Sequence, residues 1–430
     1  MNKNEVGNVS LARTLGLGSI ILLGIGALLG GGIFTLLGPA AGLAGPGLFL
    51  AMILGAGIAF LNLQMYIALG TTFPETGGGY LWVKMGLGNF QGFLAGWMSW
   101  FAHAVAAGVY ALSFGFYVHE LLKSVGVNLD ISIGNEAKIF GVLVVLIFGY
   151  QNWRGVKSTG KIGNYITGAL LGILALFILA GAFKIVASPA ETAQNLTPLL
   201  PYGWLGILAA ASFFYIAFEG SEIQVQAAEE TKDPQNTIKL GLIRSWAVVS
   251  TLYIFIALIF TATMNWEISS SLGEGAIVRV AENFLPLGKY LMILGGLFAN
   301  LAALNATIYS SSRVSFALAR DKNILSHLAL IHTRNLTPHI AVIFSTALIA
   351  GLIILFPLFD IASAASLLFV LLFLQLNIAG INIHYKWPNT KWFYKIPLFP
   401  ATPLIATALY IILAFTMFGV NLNAWLLTAF

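Results

Sequence analysis

Eleven apolar runs, each about the length of a bilayer crossing, divide this chain, and no other feature narrows its fold as far. They lie at about 15–38, 46–71, 90–122, 138–153, 163–187, 204–226, 240–264, 288–312, 339–358, 361–385 and 401–420. A helix needs about 20 apolar residues to cross the roughly 30 Å hydrocarbon layer. The chain is 58% hydrophobic and 9% charged, against about 25% charged residues in an average soluble domain. Its solvent is therefore lipid. After residue 420 the chain closes with NLNAWLLTAF, too short to cross as a helix. The sequence predicts an all-α integral membrane protein of eleven helices, or one that stops inside a twelfth. The whole chain reads as a single transmembrane domain behind a polar segment, 1–14, that shows no cleavage pattern.

The distribution of Lys and Arg orients the helices. With the N-terminus in the cytoplasm, sixteen of the 21 fall on cytoplasmic positions. These are Lys3, Arg13, Lys84, Arg154, Lys157, Lys161, Lys232, Lys239, Arg244, Arg313, Arg320, Lys322, Arg334, Lys386, Lys391 and Lys395. Only Lys123, Lys138, Lys184, Arg279 and Lys289 fall outside. This is the positive-inside pattern, and a wrong span count upstream would have scrambled it. The net charge of +5 is thus a topology signal. No concentrated basic face suggests nucleic acid. The chain has no Cys, which excludes a thiol nucleophile and a thiolate metal site. No His/carboxylate cluster has metal-ligand spacing, and no Ser/His/Asp set is suggested by position. The sequence therefore predicts no enzyme, no metal and no cofactor.

The stretch GIGALLGGGIF, Gly24 to Phe34, places five glycines in the middle of the first apolar run. Each costs about 1 kcal/mol relative to Ala in a helix interior. Gly26 and Gly30 form a GxxxG that suits close helix packing. Gly30-Gly31-Gly32 suits a break, which survives in a membrane only against protein or a water-filled cavity. The glycines alone leave both readings open. The sixth run tips the balance: SFFYIAFEGSEIQVQAAEE, Ser212 to Glu230, carries Glu219 and Glu222 around Gly220. An intramembrane carboxylate costs at least about 2.5–3.5 kcal/mol and faces a cavity or a partner. Interrupted helices at corresponding positions, first and sixth, point to a substrate site between inverted repeats. The predicted repeats are 15–187 and 204–385, followed by C-terminal spans in 386–430. No internal identity between the halves is obvious, so this rests on position.

These residues resemble the amino acid permeases of the amino acid–polyamine–organocation superfamily. GIGALLGGGIF resembles the family's glycine signature. FPETGGGYLWVKMGLGNFQGFLAGW (Phe73 to Trp97), FEGSEIQVQAAEETKDPQNTI (Phe218 to Ile238) and LNATIYSSSRVSFALARDKNI (Leu304 to Ile324) resemble three further segments, in order. The resemblance implies a LeuT-type 5+5 inverted-repeat fold and transport of amino acids across the plasma membrane by alternating access. It also implies a zwitterion site, with Gly30, Gly31 and Gly32 offering N–H groups to a carboxylate. By position, carbonyls around Gly26 and Leu28, and at Phe214, Ile216 and Ala217, would receive an ammonium group. Trp100, His103, Phe218, Glu219, Asn300 and Asn305 would line the side-chain pocket.

Each of these has a plainer reading. His103 also fits a packed, hydrogen-bonded histidine, and Asn305 and Tyr309 fit hydrogen bonds between helices. Glu222 fits a structural or gating group. Glu229, Glu230 and Asp233 fit a solvated or ion-paired cap. Glu219 and Glu222 are the proton-coupling candidates; Glu219 is expected to be the pH-sensitive one, and Glu222, nearer the cytoplasm, the better solvated. Sodium-coupled relatives carry hydroxyls where this chain has Asn300-Leu-Ala-Ala303, and some proton-coupled relatives carry a Lys where it has Leu170. Neither device is present. Exchange, uniport or proton coupling through a carboxylate remain. A carrier of polyamines or organic cations and a non-transporting amino acid sensor are the alternative functions.

Overall fold

A computed structural model describes residues 15–74, 77–129, 131–154, 159–228, 231–332, 335 and 337–428, with the side chains of 159–164 excepted. The expectations for Lys3, Arg13, Lys157, Arg334, Glu229 and Glu230, and for the side chain of Lys161, fall outside that set. Among the described residues the regular structure is helical apart from one isolated bridge, Leu15 to Thr231. Ten helical stretches are long and apolar enough to cross a membrane, and His339–Leu355 is a shorter apolar helix.

The first apolar run is built from α1 (Leu17–Leu28) and α2 (Gly32–Thr35), and α3 (Leu37–Ala44) opens the next stretch. After a Gly45–Gly47 turn come α4 (Leu48–Thr72), the short α5 (Gly78–Leu87), α6 (Asn89–Ser124), α7 (Ile133–Arg154) and α8 (Thr159–Ala187). A short α9 (Pro189–Asn195) precedes the sixth run. That run comprises α10 (Gly203–Phe213), a 3-10 turn (Phe214–Phe218) and α11 (Ser221–Gln226). The chain continues through α12 (Pro234–Thr263), α13 (Trp266–Ser271), α14 (Ala276–Glu282), α15 (Gly288–Arg320), α16 (His339–Leu355), α17 (Leu358–Lys386) and α18 (Ala401–Val420). The final α19 (Leu422–Thr428) is seven residues long and packs on α17 and α18. Several crossing helices overrun the apolar runs: α12 starts at Pro234 and α15 reaches Arg320. Apolar content marks the hydrocarbon layer, whereas helical hydrogen bonding carries on into the polar flanks.

The middle layer is α6, buried along most of its length and packed against α5, α7, α15, α16 and α17. Its small residues explain this. Ala102, Ala104, Ala106, Ala107, Gly108 and Ala111 let neighbouring backbones approach, which is how membrane helices gain contact when lipid is as apolar as they are. At the end carrying most Lys and Arg, α5 is tied to the last turn of α15. Tyr80 Oη and Lys84 Nζ each donate to Asp321 Oδ2 at 2.6 Å, and Asn323 donates to Tyr80 Oη at 3.0 Å.

Candidate substrate site at the interrupted helices

Helical hydrogen bonding in the first run lapses after Leu29, whose amide donates to Ile25 O at 2.7 Å, and resumes with Phe34 and Thr35 donating to Gly31 O. Among the described residues, the amides of Gly30, Gly31, Gly32 and Ile33 have no protein acceptor, and the carbonyls of Gly26 and Ala27 have no donor. The two halves are held by different elements. Ile20 O accepts Gln224 Nε2 of α11 at 3.0 Å, and Leu28 O accepts the hydroxyl of Tyr253 of α12. Beyond the lapse, Phe34 O accepts Tyr117 Oη of α6 at 2.6 Å, and Thr35 pairs with Ser113 of α6.

The three glycines are also closely packed, so the two readings of GGG are not exclusive. A Cβ on Gly30 would lie 2.9 Å from the Tyr110 ring and 3.0 Å from Ala303. One on Gly31 would lie 1.6 Å from Asn300 Oδ1, and one on Gly32 3.2 Å from Ala217 Cβ. The space beside Gly31 is thus filled by Asn300.

In the sixth run the backbone leaves the helix at Phe214–Phe218, and Glu219 is extended, with φ −79° and ψ 138°. Ser366 of α17 stabilises the departure: its hydroxyl donates to Phe213 O at 2.7 Å and accepts the Ile216 amide at 3.1 Å. The carbonyls of Ala217 and Phe218 have no donor among the described residues. The two irregular stretches touch. Gly32 meets Ala217, and a Cβ on Gly220 would be 2.8 Å from Leu28 Cγ.

Three buried polar atoms without partners among the described residues gather here: His103 Nε2, Glu219 Oε1 and Asn300 Oδ1. His103 Nε2 and Glu219 Oε1 are 3.7 Å apart. Asn300 uses its amide on Gly296 O at 2.7 Å and leaves its oxygen against Gly31. Phe369 packs edge-on to His103, and Phe218 to Tyr253.

Several expectations need correction. Glu222 is not the better solvated carboxylate. It is wholly buried, and Tyr66 and Ser99 donate to its two oxygens at 3.1 and 2.9 Å. Trp100 turns away from the cluster: its indole donates to Ser345 at 3.1 Å and stacks on Phe344. Asn305 accepts from Asn152 of α7 at 3.0 Å, which is the helix-to-helix role. The Leu28 and Ile216 carbonyls already accept bonds, from Tyr253 and from the Glu219 amide. Phe214 packs edge-on against Tyr253. Gly26 faces Thr167, whose Oγ1 would lie 3.1 Å from a Cβ there. Asp233, by contrast, is exposed as a solvated residue would be, and accepts from Asn236. Tyr110, Tyr253, Ser99 and Tyr66 were missed. Ser99, His103 and Tyr110 share one stripe of α6, at spacings of four and seven residues, which is a signal the sequence did hold.

The sequence matches the family described as "Amino acid permease" over residues 15–427. The chain belongs to the amino acid permease family. The permease is therefore a multi-pass membrane protein of the amino acid–polyamine–organocation superfamily with the LeuT-type fold, and its kin are transporters, not enzymes. It is 27% identical to the methylthioribose transporter of Bacillus subtilis, over 96% of this chain and 90% of that one. It is 25% identical to a branched-chain amino acid permease of the same organism, over 93% and 87%. It is 28% identical to the chloroplastic cationic amino acid transporter 9 of Arabidopsis thaliana, over 75% of this chain and 58% of the relative.

Proposed function

We propose that this permease is a secondary transporter of amino acids or related amines, working by alternating access in the plasma membrane with its N-terminus in the cytoplasm. The repeats would be 15–187 and 204–385, with substrate held where the first and sixth runs meet. One observation carries the reading: at these touching irregular stretches, backbone groups and three buried side-chain atoms are left without partners. Burying a polar group unpaired costs about 1–3 kcal/mol, and a bound zwitterion would relieve several such costs at once. The amides of Gly30–Ile33 open a helical run and suit a carboxylate. The carbonyls of Gly26, Ala27, Ala217 and Phe218 suit an ammonium group.

The relatives' names span branched-chain amino acids, cationic amino acids and methylthioribose, so kinship leaves selectivity to the side-chain pocket. The free oxygen of Glu219 beside the free nitrogen of His103 favours a second reading within transport, a substrate with an additional cationic donor. Radiolabelled uptake into proteoliposomes, competed by a panel of neutral and cationic amino acids and polyamines, tests both. Uptake blocked by one class is expected. Saturable binding with no uptake or exchange would make the protein a sensor, and neither binding nor uptake of any amine would sink the reading.

A further inference from the structure

The contact between His103 and Glu219 has an unusual hydrogen balance. His103 Nδ1 lies 2.7 Å from the carbonyl oxygen of Ser99. A carbonyl oxygen only accepts, so Nδ1 carries the hydrogen. In the neutral ring Nε2 is then a bare acceptor. It faces Glu219 Oε1 at 3.7 Å, and among the described residues neither atom has another partner; both are shut off from solvent. With Glu219 ionised, two lone pairs would oppose each other in a dry site. A single hydrogen between them, on oxygen or on nitrogen, turns this opposition into an attraction, and an approach of a few tenths of an ångström would make it a hydrogen bond. Glu222 differs: its two oxygens receive hydroxyl donors from Tyr66 and Ser99, so it is satisfied as a carboxylate. Two carboxylates three residues apart are thus set for different charge states by what faces them.

We propose that His103 and Glu219 form a one-proton site in the membrane interior, and that a substrate's amino group, additional to the one at the backbone carbonyls, competes with that proton. An ammonium nitrogen about 2.8 Å from each acceptor can sit beside a pair 3.7 Å apart. Its positive charge then replaces that of the proton. The proton leaves to whichever aqueous side is open, and the net charge of the site is unchanged. The titratable groups near the pair are Tyr110 on α6, Tyr66 on α4 and Glu222 on α11, with Tyr253 of α12 beside Tyr110. Tyr66 is committed to Glu222 and Tyr253 to Leu28 O. The α1 helix has no titratable side chain. The competition rests on the transport reading; the proton site rests on the geometry alone.

The test uses the full chain in lipid vesicles with ring-15N histidine. The chain has six histidines, and the His103 signal is assigned by its loss in His103→Gln. The expected signal is hydrogen on Nδ1, with an Nε2 shift that follows pH in the wild type, by its own protonation or by that of Glu219 facing it, and with that step lost in Glu219→Gln. Hydrogen resident on Nε2 with Nδ1 bare, or an unchanged step in Glu219→Gln, would overturn the proposal. Should Glu219→Gln not fold, 13C-carboxyl glutamate in the wild type decides: Glu219 and His103 must move in one transition, and separate transitions refute the shared proton. Competition is read as proton release into weakly buffered solution when L-lysine or putrescine is added to purified protein, with L-leucine as the probe that has a single amino group. Release on binding of L-lysine or putrescine, abolished in Glu219→Gln, supports it. Binding of either without release overturns it. Failure of every probe to bind overturns the competition together with the amino acid reading, while the ring-nitrogen signal independently decides the proton site.

Discussion

Replacing Gly31 with alanine separates the two roles of the triple glycine. Gly31 has φ −56° and ψ −11°, which any L-residue adopts, so the substitution carries no backbone penalty. The new Cβ would lie 1.6 Å from Asn300 Oδ1 and 2.6 Å from its Cγ, so Asn300 must swing away. Asn300 is fully buried and its amide is bound to Gly296 O. Losing that bond costs about 0.5–1.5 kcal/mol, and a rotamer forced off its well costs about 0.5–1.5 kcal/mol more. Against this, Gly to Ala reduces the freedom of the unfolded chain and stabilises by about 0.4–1 kcal/mol. The sum is a destabilisation of up to about 2.6 kcal/mol. With Asn300 truncated to alanine the obstacle is gone, and the same Gly31→Ala change should stabilise. The expected signature is therefore a reversal of sign, with a coupling of about 1–3 kcal/mol in the double-mutant cycle. Reversible unfolding of the four proteins in mixed micelles measures it. Equal effects of Gly31→Ala in both backgrounds, within about 0.5 kcal/mol, would refute the contact.

Tyr253→Phe removes the hydroxyl that satisfies the Leu28 carbonyl, and unfolding stability should fall by about 1–3 kcal/mol; a change near zero would mean the carbonyl finds water. Burial pulls the Asp321 carboxyl up, but hydrogen bonds from Lys84 and Tyr80 and the Lys84 charge outweigh it and hold the group below its ordinary range. Its contribution is therefore present above the ordinary carboxylate range and lost as pH falls through the lowered value, so Asp321→Asn should flatten the acid side of a stability–pH curve; an unaltered curve would show that the cluster adds nothing. On the side of α15 that meets the triple glycine, Asn300 and Ala303 bring no hydroxyl, so replacing sodium by choline at fixed pH and membrane potential should leave uptake unchanged. A steep sodium dependence would place a cation site elsewhere.

The helical segments were legible because hydropathy reports the thickness of the bilayer directly. Their ends were less so. The start of α12 at Pro234 and the reach of α15 to Arg320 lie in polar sequence, where lipid no longer dictates composition. The clustering of His103 with Glu219 was within reach, since a buried histidine and a buried carboxylate each need a partner. Trp100 was misassigned for a simple geometric reason. It precedes His103 by three residues, so it lies about 60° round the same helix, and that rotation is enough to turn it from Glu219 towards Ser345. Span position alone does not carry a rotation angle.

Glu222 shows a deeper limit. Depth in the membrane, used as a guide to solvation, makes Glu222 the wetter carboxylate. What decides its state is which donors two other elements supply, Tyr66 on α4 and Ser99 on α6, beside the small residues at the start of α5, where a Cβ on Gly79 would stand 3.5 Å from both carboxylate oxygens. None of these is near Glu222 in sequence. The same applies to Glu219, whose partner is defined only once the Ser99 carbonyl fixes the hydrogen on the far side of the His103 ring. A sequence shows that a charge is buried and therefore must be answered. Which charge state answers it is a property of the donors and acceptors that packing brings round it, and here those point in opposite directions for two residues only three positions apart in the chain.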